Sequence, residues 1–407
     1  MIKATRVKIV YFNYLYDLYG ASIGSTIKGV KLMEALQHCG HEVKIYWRKD
    51  QPGNNGVANG KAPSRQLLKK HFDRFLHEPN QLFSNLRYVR EENQILHAEK
   101  PDLIISRLDV YMLSAVLLAK RLNLPLVLEV DSPEVYEFRK FSTRYWRLPF
   151  LLETIEAYNI RQADACITVS QKLAEFFHKP GFSDGQMHVI SNGADLSKFN
   201  PEISGAEVRA KYGLENAVVI GFIGSFHFWH GIENLITLIQ AALAQEARVK
   251  FLLVGDGGPM KPHMQKFVAE NNLQNQVILT GHIPHDEVGR YIAAMDIVLA
   301  PYPPLEFFYY SPVKIYEYMA CGKPVLSSRL GQIAEVVQDG VNGFISAPGD
   351  NADYTRKLAR LIQDAELRTR VGREAYRTIA AQHTWQKKAE AWSLICEQAV
   401  RKHRRVV

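Results

Sequence analysis

The sequence has few cysteines and no arrangement of them that would cross-link the chain. The four cysteines are widely scattered, at positions 39, 166, 321 and 396, and no Cys-x-x-Cys or mixed Cys/His spacing occurs. Neither a disulfide framework nor a structural zinc site is therefore indicated. The expectation that follows is a cytosolic protein with reduced thiols.

Long hydrophobic runs are also absent. Runs such as "LPLVLEV" and "VKFLLVG" have the length of β-strands and fall far short of the ~20 residues that a transmembrane helix needs. The first residues, "MIKATRVKIVYF", lack the apolar core and cleavage site of a signal peptide and instead predict a first strand. The sequence also contains no short-period repeat and no low-complexity tract. These absences favour a cytoplasmic globular protein.

Basic residues are in excess, and the excess is uneven. Residues 1–200 carry 27 Lys and Arg against 21 Asp and Glu, whereas residues 201–407 carry 23 against 21. A basic surface suits a nucleic acid, an anionic membrane or an anionic substrate. No recognised nucleic-acid-binding motif accompanies the charge, so a nucleic acid partner is not expected.

The length and the order of the apolar segments predict two α/β domains. The chain is longer than one ordinary core supports. The segments "RVKIVYF", "IKGVKLMEALQHCG" and "HEVKIYW" predict a strand, a helix and a strand, and a second such series starts at "AVVIGFIGSF". The expected architecture is two Rossmann-like, doubly wound domains, 1–200 and 201–385, that face a cleft. Ligands should bind at the carboxyl ends of the strands.

The stretch "YYSPVKIYEYMACGKPV" at 309–325 predicts a ligand site. Pro312 suits the first turn of a helix, where its missing N–H costs nothing. The free N–H groups of Val313 and Lys314 would face an anion at the positive end of the helix dipole, and Lys314 adds a full charge. Glu317 would accept both hydroxyls of a ribose, and a phosphate beside a diol is a nucleotide. The alternatives are an ordinary N-terminal helix acid and a solvated helix lysine.

Five motifs, in order, resemble the retaining glycosyltransferases of family 4, which have the GT-B fold. They are "VISNGADLSKFNP" (189–201), "FIGSFHFWHGIENLI" (222–236), "LLVGDGG" (252–258), "VILTGHI" (277–283) and "EYMACGKPV…EVVQDGVNGF" (317–344). The resemblance covers nearly the whole chain. It implies a nucleotide-sugar donor bound by the C-terminal domain and an acceptor held by the N-terminal domain. It also implies that a last helix, 386–407, packs back on the N-terminal domain.

The resemblance further implies roles in donor binding. The backbone around Ile283 would read the base, Glu317 would hold the ribose, and Val313 and Lys314 would contact the diphosphate. The other donor contacts that it implies are Gly20, Gly24, Ser225, His230, Gly255, Tyr309 and Ser311.

The expected chemistry needs neither a metal ion nor another cofactor. No Asp-x-Asp motif occurs, so there is no sign of the metal clamp of the other glycosyltransferase fold. N–H groups and basic side chains would instead meet the charge of the leaving group. Gly20 to Gly24 would close over the donor phosphates from the other side, because glycine permits close backbone approach.

The donor motifs depart from the family pattern at three positions. The usual arginine of the phosphate loop is Ser225, its lysine is His230, and the first glutamate of the paired-acid motif is Tyr309. Lys314 and a protonated His230 would restore positive charge, with a core or capping histidine as the alternative. Tyr309 removes an acceptor for donor-sugar hydroxyls, which leaves the donor sugar open.

In the N-terminal half, Asp131 of "LEVDSPE" follows a predicted strand, where the family often places a histidine or an acid near the transferred sugar. Asp131 would hydrogen-bond a sugar hydroxyl or help to accept the proton of the acceptor, and a turn or helix cap is the alternative. Arg107, after "DLIIS", either faces the cleft or forms a surface salt bridge. No base-and-nucleophile pair is expected.

Two basic, aromatic stretches suggest where the acceptor comes from. They are "RQLLKKHFDRFLHE" (65–78) and "FRKFSTRYWRLPF" (138–150). Such a mixture suits a helix or loop that lies on an anionic membrane, which Lys69, Lys70, Arg139 and Lys140 would contact. A lipid-linked or membrane-borne acceptor and a peripheral location at the inner face of the membrane follow. Alternatively, the apolar faces pack inward and the bases are solvated.

Three functions remain open at this stage. The first is an active retaining glycosyltransferase in cell-surface glycan synthesis. The second is a partner subunit of the same fold whose donor site has decayed, which the changes at Ser225, His230 and Tyr309 motivate. The third is a sugar-nucleotide epimerase or a phosphorylase, although the sequence offers no recognisable lysine site for the pyridoxal phosphate of a phosphorylase.

Overall fold

The computed structural model describes residues 6–14, 23–47, 65–141, 149–178 and 185–406. The chain divides into two compact units. The N-terminal unit runs to Ile190 and includes the chain from Lys388 onward, and the C-terminal unit comprises Ser191–Lys387. The boundaries predicted from the sequence, after residues 200 and 385, lie close to these transitions.

The N-terminal unit contains a six-stranded parallel sheet. Its strands are β1 (Lys8–Asn13), β2 (Glu42–Trp47), β3 (Leu103–Arg107), β4 (Leu126–Val130), β5 (Ala165–Thr168) and β6 (Met187–Val189). Their order across the sheet is β2-β1-β3-β4-β5-β6, and every neighbouring pair is parallel. All residues of β3, β4 and β5 are buried. Both faces of the sheet are therefore covered, which explains why these strands are continuous apolar runs.

The helices of this unit are α1 (Ile23–His38), α2 (Arg65–Glu99), α3 (Ser114–Leu122), α4 (Glu134–Phe141), α5 (Pro149–Gln162) and α6 (Gln171–Phe177). Two of them differ from the sequence-based prediction. Helix α1 begins at Ile23, so Gly24 lies in its first turn and not, as predicted, in the segment before the helix. Helix α2 continues through Pro79 to Glu99, well beyond the helical stretch predicted at 65–78.

The C-terminal unit contains a second six-stranded parallel sheet. Its strands are β7 (Val218–Ile223), β8 (Val249–Val254), β9 (Val277–Leu279), β10 (Ile297–Ala300), β11 (Val325–Ser328) and β12 (Phe344–Ser346), in the order β12-β11-β10-β7-β8-β9. The helices are α7 (Ala206–Tyr212), α8 (Ile232–Gln245), α9 (Lys261–Glu270), α10 (His285–Ala294), α11 (Val313–Ala320), α12 (Gly331–Val336), α13 (Asn351–Gln363) and α14 (Ala365–Gln382), with a 3₁₀ turn at Phe228–His230.

The strand order of the C-terminal unit fixes where a ligand should bind. The chain lays down β7, β8 and β9 outward in one direction, and then returns so that β10 pairs with the other side of β7. The connections that follow β7 and β10 therefore leave the sheet in opposite directions. In doubly wound folds the crevice at such a reversal, beyond the carboxyl ends of the strands, is the ligand site.

Helix α15 (Trp385–Val406) completes the N-terminal unit from Lys388 onward. Trp392 on this helix is almost fully buried. His41 Nε2 lies 2.6 Å from Ser393 Oγ, and His403 Nε2 lies 3.0 Å from Asn123 Oδ1. The last helix is thus attached by apolar packing, by one buried polar contact and by one exposed polar contact. None of the described helices combines the length and the hydropathy needed to cross a membrane.

Candidate functional site

Two loops meet at the reversal point of the C-terminal sheet. The loop after β7 covers residues 224–231, and the loop after β10 covers residues 301–312. Gly231 has a φ of +77°, and an added Cβ there would lie 1.8 Å from the carbonyl oxygen of Pro301. Asn234 donates a 3.0 Å hydrogen bond to the same carbonyl. The two loops are in direct backbone contact, and only glycine fits between them.

Gly255, a predicted donor contact, holds a third loop against the first. Its φ is +136°, and an added Cβ would lie 2.3 Å from the carbonyl oxygen of Gly224. The N–H of Gly224 donates a 2.9 Å hydrogen bond to the carbonyl oxygen of Val254, and the N–H of Phe226 donates one of 2.9 Å to the carbonyl oxygen of Gly257. Glycine at 255 is therefore required by the packing of loop on loop, whereas its contact with a donor stays a prediction.

Lys314 extends from α11 into the loop after β7. Its Nζ lies 4.7 Å from the centroid of the Phe222 ring and 5.7 Å from that of Tyr302. A Cβ added to Gly224 would lie only 2.7 Å from this nitrogen. Although the lysine stem is partly exposed, Nζ itself is buried and has no hydrogen-bond acceptor among the described residues. A buried amine without an acceptor is costly, and an anion placed beside Nζ would supply the missing partner.

The surroundings of Lys314 change its basicity. Burial lowers the pKa of Lys314 to about 7, and the carboxylate of Glu317 on the next helical turn opposes that shift. An anion placed against Nζ would raise the pKa again, because an adjacent negative charge favours the ammonium form.

His230 is not the positive charge that the sequence analysis expected. Its Nδ1 lies 2.7 Å from the backbone carbonyl of Ser225, and because a carbonyl only accepts, Nδ1 carries the proton. Burial, and then the charge of Lys314, lower the pKa of His230 to about 3. At neutral pH His230 is therefore uncharged, with a lone pair on Nε2. The prediction of a protonated His230 is wrong, so of the two cations expected here only Lys314 remains.

Glu317 lies three residues after Lys314 on α11 and is almost fully buried. Residues three apart on a helix share a face, so the ammonium and the carboxylate lie side by side. Glu317 Oε1 accepts a hydrogen bond of 2.8 Å from His285 Nε2. His285 is the first residue of α10 and follows Ile283, the predicted base reader, by two positions. Ile283 is partly buried and packs against the core of the unit.

The start of α11 is fixed by the segment that precedes the C-terminal sheet. Pro312 is the N-cap residue and Val313 the first helical residue. Ser311 is buried, and its hydroxyl accepts the N–H of Asn192 at 3.0 Å, while its carbonyl accepts the Asn192 side chain. The Ser311 hydroxyl, a predicted donor contact, thus serves inside the protein to hold the helix N-terminus. The N–H of Ile315 donates to the carbonyl of Pro312 at 3.1 Å, whereas the N–H groups of Val313 and Lys314 precede any acceptor within the helix.

Tyr309, the third departure from the family pattern, lies inside the unit. Its side chain is 1% exposed, and its ring lies 4.2 Å from that of Tyr310 and 5.2 Å from that of Phe307. The side chain therefore supports the loop after β10 from within. Its predicted contact with a donor sugar stays untested.

In the N-terminal unit, Asp131 belongs to a buried ionic group at the carboxyl ends of β1, β3 and β4. We call this group the Asp131 cluster: Tyr11, Lys28, Arg107, Glu129 and Asp131. Arg107 Nη1 lies 2.7 Å from Asp131 Oδ2, and Lys28 Nζ contacts both Asp131 and, at 2.8 Å, Glu129 Oε1. The Tyr11 hydroxyl donates to Glu129 Oε2 at 2.6 Å. The expectation of a surface salt bridge at Arg107 is wrong, because its side chain is 2% exposed.

The ion pairs determine what Asp131 does chemically. Burial alone would raise the pKa of Asp131, but Arg107 and Lys28 outweigh it and hold the pKa below its ordinary value. A carboxylate of lowered pKa is a poor proton acceptor. Of the two roles predicted for Asp131, acceptance of a proton is therefore disfavoured, and a hydrogen bond to a sugar hydroxyl stays a prediction.

The remaining predicted residues are placed as follows. Arg139 pairs with Glu153 at 2.8 Å, and Lys140 donates to the Tyr136 hydroxyl at 2.9 Å. Lys69 and Lys70 lie in α2, with side chains outside the described part, and Gly20 is also outside it. Among the described residues, no group of three or more His, Cys, Asp or Glu side chains is arranged to hold a metal ion.

Sequence reasoning missed Lys28 and His285. Lys28 lies 103 positions from Asp131, and His285 lies 32 positions from Glu317. The only local signal was the position of His285, two residues after "VILTGHI" and at the start of a helix.

Comparisons with known proteins match both halves of the chain to glycosyltransferases. A family model described as "Glycosyltransferase Family 4" matches residues 30–198, and one described as "Glycosyl transferases group 1" matches residues 217–364. An uncharacterized glycosyltransferase of Methanocaldococcus jannaschii is 24% identical over 258 residues, which are 62% of this chain and 62% of that protein. The 2-deoxystreptamine glucosyltransferase of Streptomyces kanamyceticus is 28% identical over 275 residues, which are 65% of this chain and 68% of that protein.

Two solved structures share the fold over nearly the whole chain. Sucrose-phosphate synthase from Thermosynechococcus elongatus superposes with a TM-score of 0.72 at 20% identity, over 97% of this chain and 99% of that one. HepE from Anabaena, in complex with UDP and glucose, gives a TM-score of 0.67 at 20% identity, over 96% and 99%.

Proposed function

The chain belongs to the group 1 glycosyltransferases of family 4 and has their GT-B fold, and we propose that it transfers a sugar, with retention, from a nucleotide-sugar donor to a carbohydrate or lipid-linked acceptor. In this proposal the C-terminal unit binds the donor and the N-terminal unit the acceptor. The reaction needs no metal ion and serves the synthesis of a cell-surface glycan.

The observation that carries the proposal is the pair Lys314 and Glu317 on one face of α11. Lys314 Nζ is buried beside Gly224, with no acceptor among the described residues. A diphosphate placed there would meet this ammonium and the N–H groups of the first turn of α11. Glu317, three residues further along, would accept the hydroxyls of a ribose. An anion site beside a diol acceptor fits a nucleoside diphosphate.

The likeness to HepE supports the choice of donor class. That protein has been solved with UDP and glucose and also with UDP-glucose. The likeness to this chain is one of fold, at 20% identity. UDP-sugars are therefore the first donors to test, with GDP-, ADP- and CMP-linked sugars beside them.

Retention without a base-and-nucleophile pair is consistent with the state of Asp131. The Asp131 carboxylate, paired with Lys28 and Arg107, is a poor base. The proposed mechanism does not use it as a nucleophile. The leaving diphosphate would instead be stabilised by Lys314 and by the N-terminus of α11, and positioned donors of this kind account for a large part of the rate enhancement of many enzymes.

Exposed apolar side chains on the N-terminal unit support an acceptor at an anionic membrane. Phe83 and Leu86 on α2 are 69% and 75% exposed, and Phe150 on α5 is 79% exposed. Their neighbours Leu82 and Leu152 pack in the same apolar cluster, so the two exposed patches lie on adjoining helices. We place this surface on the inner face of the cytoplasmic membrane, where apolar side chains enter the interface and the basic excess of this half meets anionic lipid.

Flotation tests the membrane part of the proposal. We expect the protein to float with phosphatidylglycerol vesicles and much less with phosphatidylcholine vesicles. Leu86→Ser and Phe150→Ser should weaken flotation, whereas Leu394→Ser, at an exposed leucine of α15, should not. Equal flotation on both lipids, or none, would contradict an anionic membrane partner.

Turnover with labelled donor tests the transferase activity itself. The protein is incubated with membranes and a nucleotide sugar labelled in the sugar, and the label is then followed into the organic and the aqueous phases. Label in a lipid or glycan product that retains the anomeric configuration is the expected result. Inversion would contradict the retaining mechanism.

The same experiment separates the alternatives. A non-catalytic partner subunit with a decayed donor site, which the changes at Ser225, His230 and Tyr309 motivate, would bind no nucleotide sugar and transfer no label. An epimerase would release free nucleotide with no membranes present.

A further inference from the structure

His285, the first residue of α10, contacts the carboxylate of Glu317. Its Nε2 lies 2.8 Å from Glu317 Oε1, and the two side chains are 22% and 8% exposed. Since an ionised carboxylate only accepts hydrogen bonds, Nε2 of His285 carries the proton and donates the hydrogen bond to Glu317. No other hydrogen bond or ion pair to Glu317 occurs within the described part of the chain. His285 is thus the one described group that fixes how this carboxylate is turned.

The imidazole of His285 is itself held in place. Its ring lies 5.3 Å from that of Phe199, and Phe199 is 1% exposed. On the next residue of α10, Asp286 contacts Lys198. The segment around residues 198–199 and the start of α10 are therefore joined by two side-chain contacts, one of which sets the plane of the His285 ring.

This arrangement leaves the carboxylate free to accept more hydrogen bonds. Each carboxylate oxygen has two lone pairs, so Oε1 can accept from His285 and from one hydroxyl while Oε2 accepts from a second hydroxyl. A pair of neighbouring hydroxyls on one sugar ring matches two oxygens whose orientation is fixed. Without His285, a carboxylate on a flexible side chain would lose that orientation, and pre-organised acceptors bind a diol better than mobile ones.

We propose that His285 is a positioning residue that orients Glu317 toward the 2′ and 3′ hydroxyls of the donor ribose, and so sets the preference for ribonucleotides over deoxyribonucleotides. This inference rests on the proposed function, because it takes Glu317 as the ribose acceptor. His285 lies outside the motifs that carry the family resemblance. The ring of Phe199 supports its imidazole.

The test compares nucleotide affinities and needs no acceptor. Dissociation constants are measured by calorimetry for UDP, 2′-deoxy-UDP and 3′-deoxy-UDP, with the guanosine and adenosine series in parallel. We expect the wild-type protein to prefer the ribonucleotide about ten-fold or more, since each lost hydroxyl leaves a charged acceptor short of one hydrogen bond. His285→Ala should reduce this ratio several-fold, toward the ratio of Glu317→Ala.

His285→Gln distinguishes positioning from a merely structural role. The glutamine amide is able to donate to Glu317 in place of the imidazole, so the ribose preference should recover. A structural role would change stability, and with it the affinities for ribo- and deoxyribonucleotides alike, without changing their ratio.

The outcomes separate this inference from the proposed function. If wild-type protein binds none of these nucleotides, the proposed function fails and the inference with it. If it binds them and Glu317→Ala abolishes the ribose preference while His285→Ala leaves the ratio at its wild-type value, the role of Glu317 stands and the inference is overturned.

Discussion

The amino nitrogen of Lys314 lies 4.7 Å from the centroid of the Phe222 ring. The side chain of Lys314, from α11, therefore reaches the loop after β7. Its ammonium group lies over the ring of Phe222, a residue of β7. A cation over a ring is stabilised by the quadrupole of the ring, which holds the ammonium in place without an acceptor that a phosphate would have to displace.

Replacing Lys314 by methionine should weaken donor binding and leave the fold intact. The loss of one charge-assisted contact to phosphate corresponds to about 10- to 100-fold in affinity. The free energy of unfolding should stay the same or rise, because a buried amine without an acceptor is removed. Calorimetry with a nucleotide sugar and urea denaturation measure the two effects. Lys250→Met, at a lysine bonded to the carbonyl of Gly213, is the control and should leave affinity unchanged. Unchanged affinity in Lys314→Met would remove this lysine from the site.

Donor binding should take up a proton above neutral pH. The groups that face Lys314 are Glu317 on its own helix, neutral His230 on the loop after β7 and Tyr302 on the loop after β10. With a pKa of about 7 in the free protein, Lys314 is mostly uncharged at higher pH and must be protonated to meet the diphosphate. Affinity should therefore fall about ten-fold between about pH 7 and about pH 8.5.

Calorimetry in buffers of different ionisation enthalpy measures the proton uptake directly. A nucleotide sugar is the right ligand, because its diphosphate is a diester and does not titrate in this range. Lys314→Arg carries a permanent charge and should bind with no proton uptake. Proton uptake that persists in Lys314→Arg would assign the titration to another group.

Asp131→Asn should destabilise the N-terminal unit. It leaves Lys28 and Arg107 buried with Glu129 as the remaining carboxylate of the Asp131 cluster, and breaking a buried ion pair in this way costs about 3–5 kcal/mol. Urea denaturation measures the loss. The double variant Lys28→Met/Asp131→Asn restores the balance of charge and should recover part of the stability. An Asp131→Asn protein of wild-type stability that has lost activity would instead give Asp131 a direct contact with substrate.

The attachment of α15 should weaken in acid through His41. The N–H of Val7 donates to His41 Nδ1 at 3.2 Å, so the imidazole donates from Nε2 to Ser393. Burial lowers the pKa of His41, although Glu397 opposes the shift. The unfolded chain therefore binds the proton more readily than the folded one. The contribution of neutral His41 to the free energy of unfolding is full above the unfolded pKa of about 6.5 and is lost as the pH falls below it.

Urea midpoints at neutral and at acidic pH test this linkage. His41→Gln keeps one acceptor and one donor and cannot be protonated, so it should show a smaller loss of stability in acid than the wild-type protein. An equal loss in both proteins would show that His41 does not contribute.

The helix that carries the candidate site was predictable because its signals are local. Pro312, Lys314 and Glu317 lie within six residues of one another, and α11 begins and ends where the proline and the Cys321-Gly322 pair indicate. The alternation of strands and helices likewise predicted two parallel sheets. The strand order within each sheet did not follow from local pattern.

The contacts that give the site its chemistry were not predictable from the sequence. Lys28 reaches Asp131 only because β1, β3 and β4 end side by side. His230 loses its charge because of burial beside Lys314, and burial depends on how three glycine loops pack. Helix α2 continues through Pro79 to Glu99, whereas the sequence analysis singled out only its basic, aromatic first part at 65–78.

The most direct test of the account is a thermal shift of the wild-type protein and Glu317→Ala against UDP-, GDP-, ADP- and CMP-sugars. A bound ligand raises the melting temperature by mass action. We predict a shift with one nucleotide class, lost in Glu317→Ala and kept in Glu366→Ala, at an exposed glutamate of α14. No shift with any donor, or a shift that Glu317→Ala retains in full, would contradict a nucleotide-sugar site on α11.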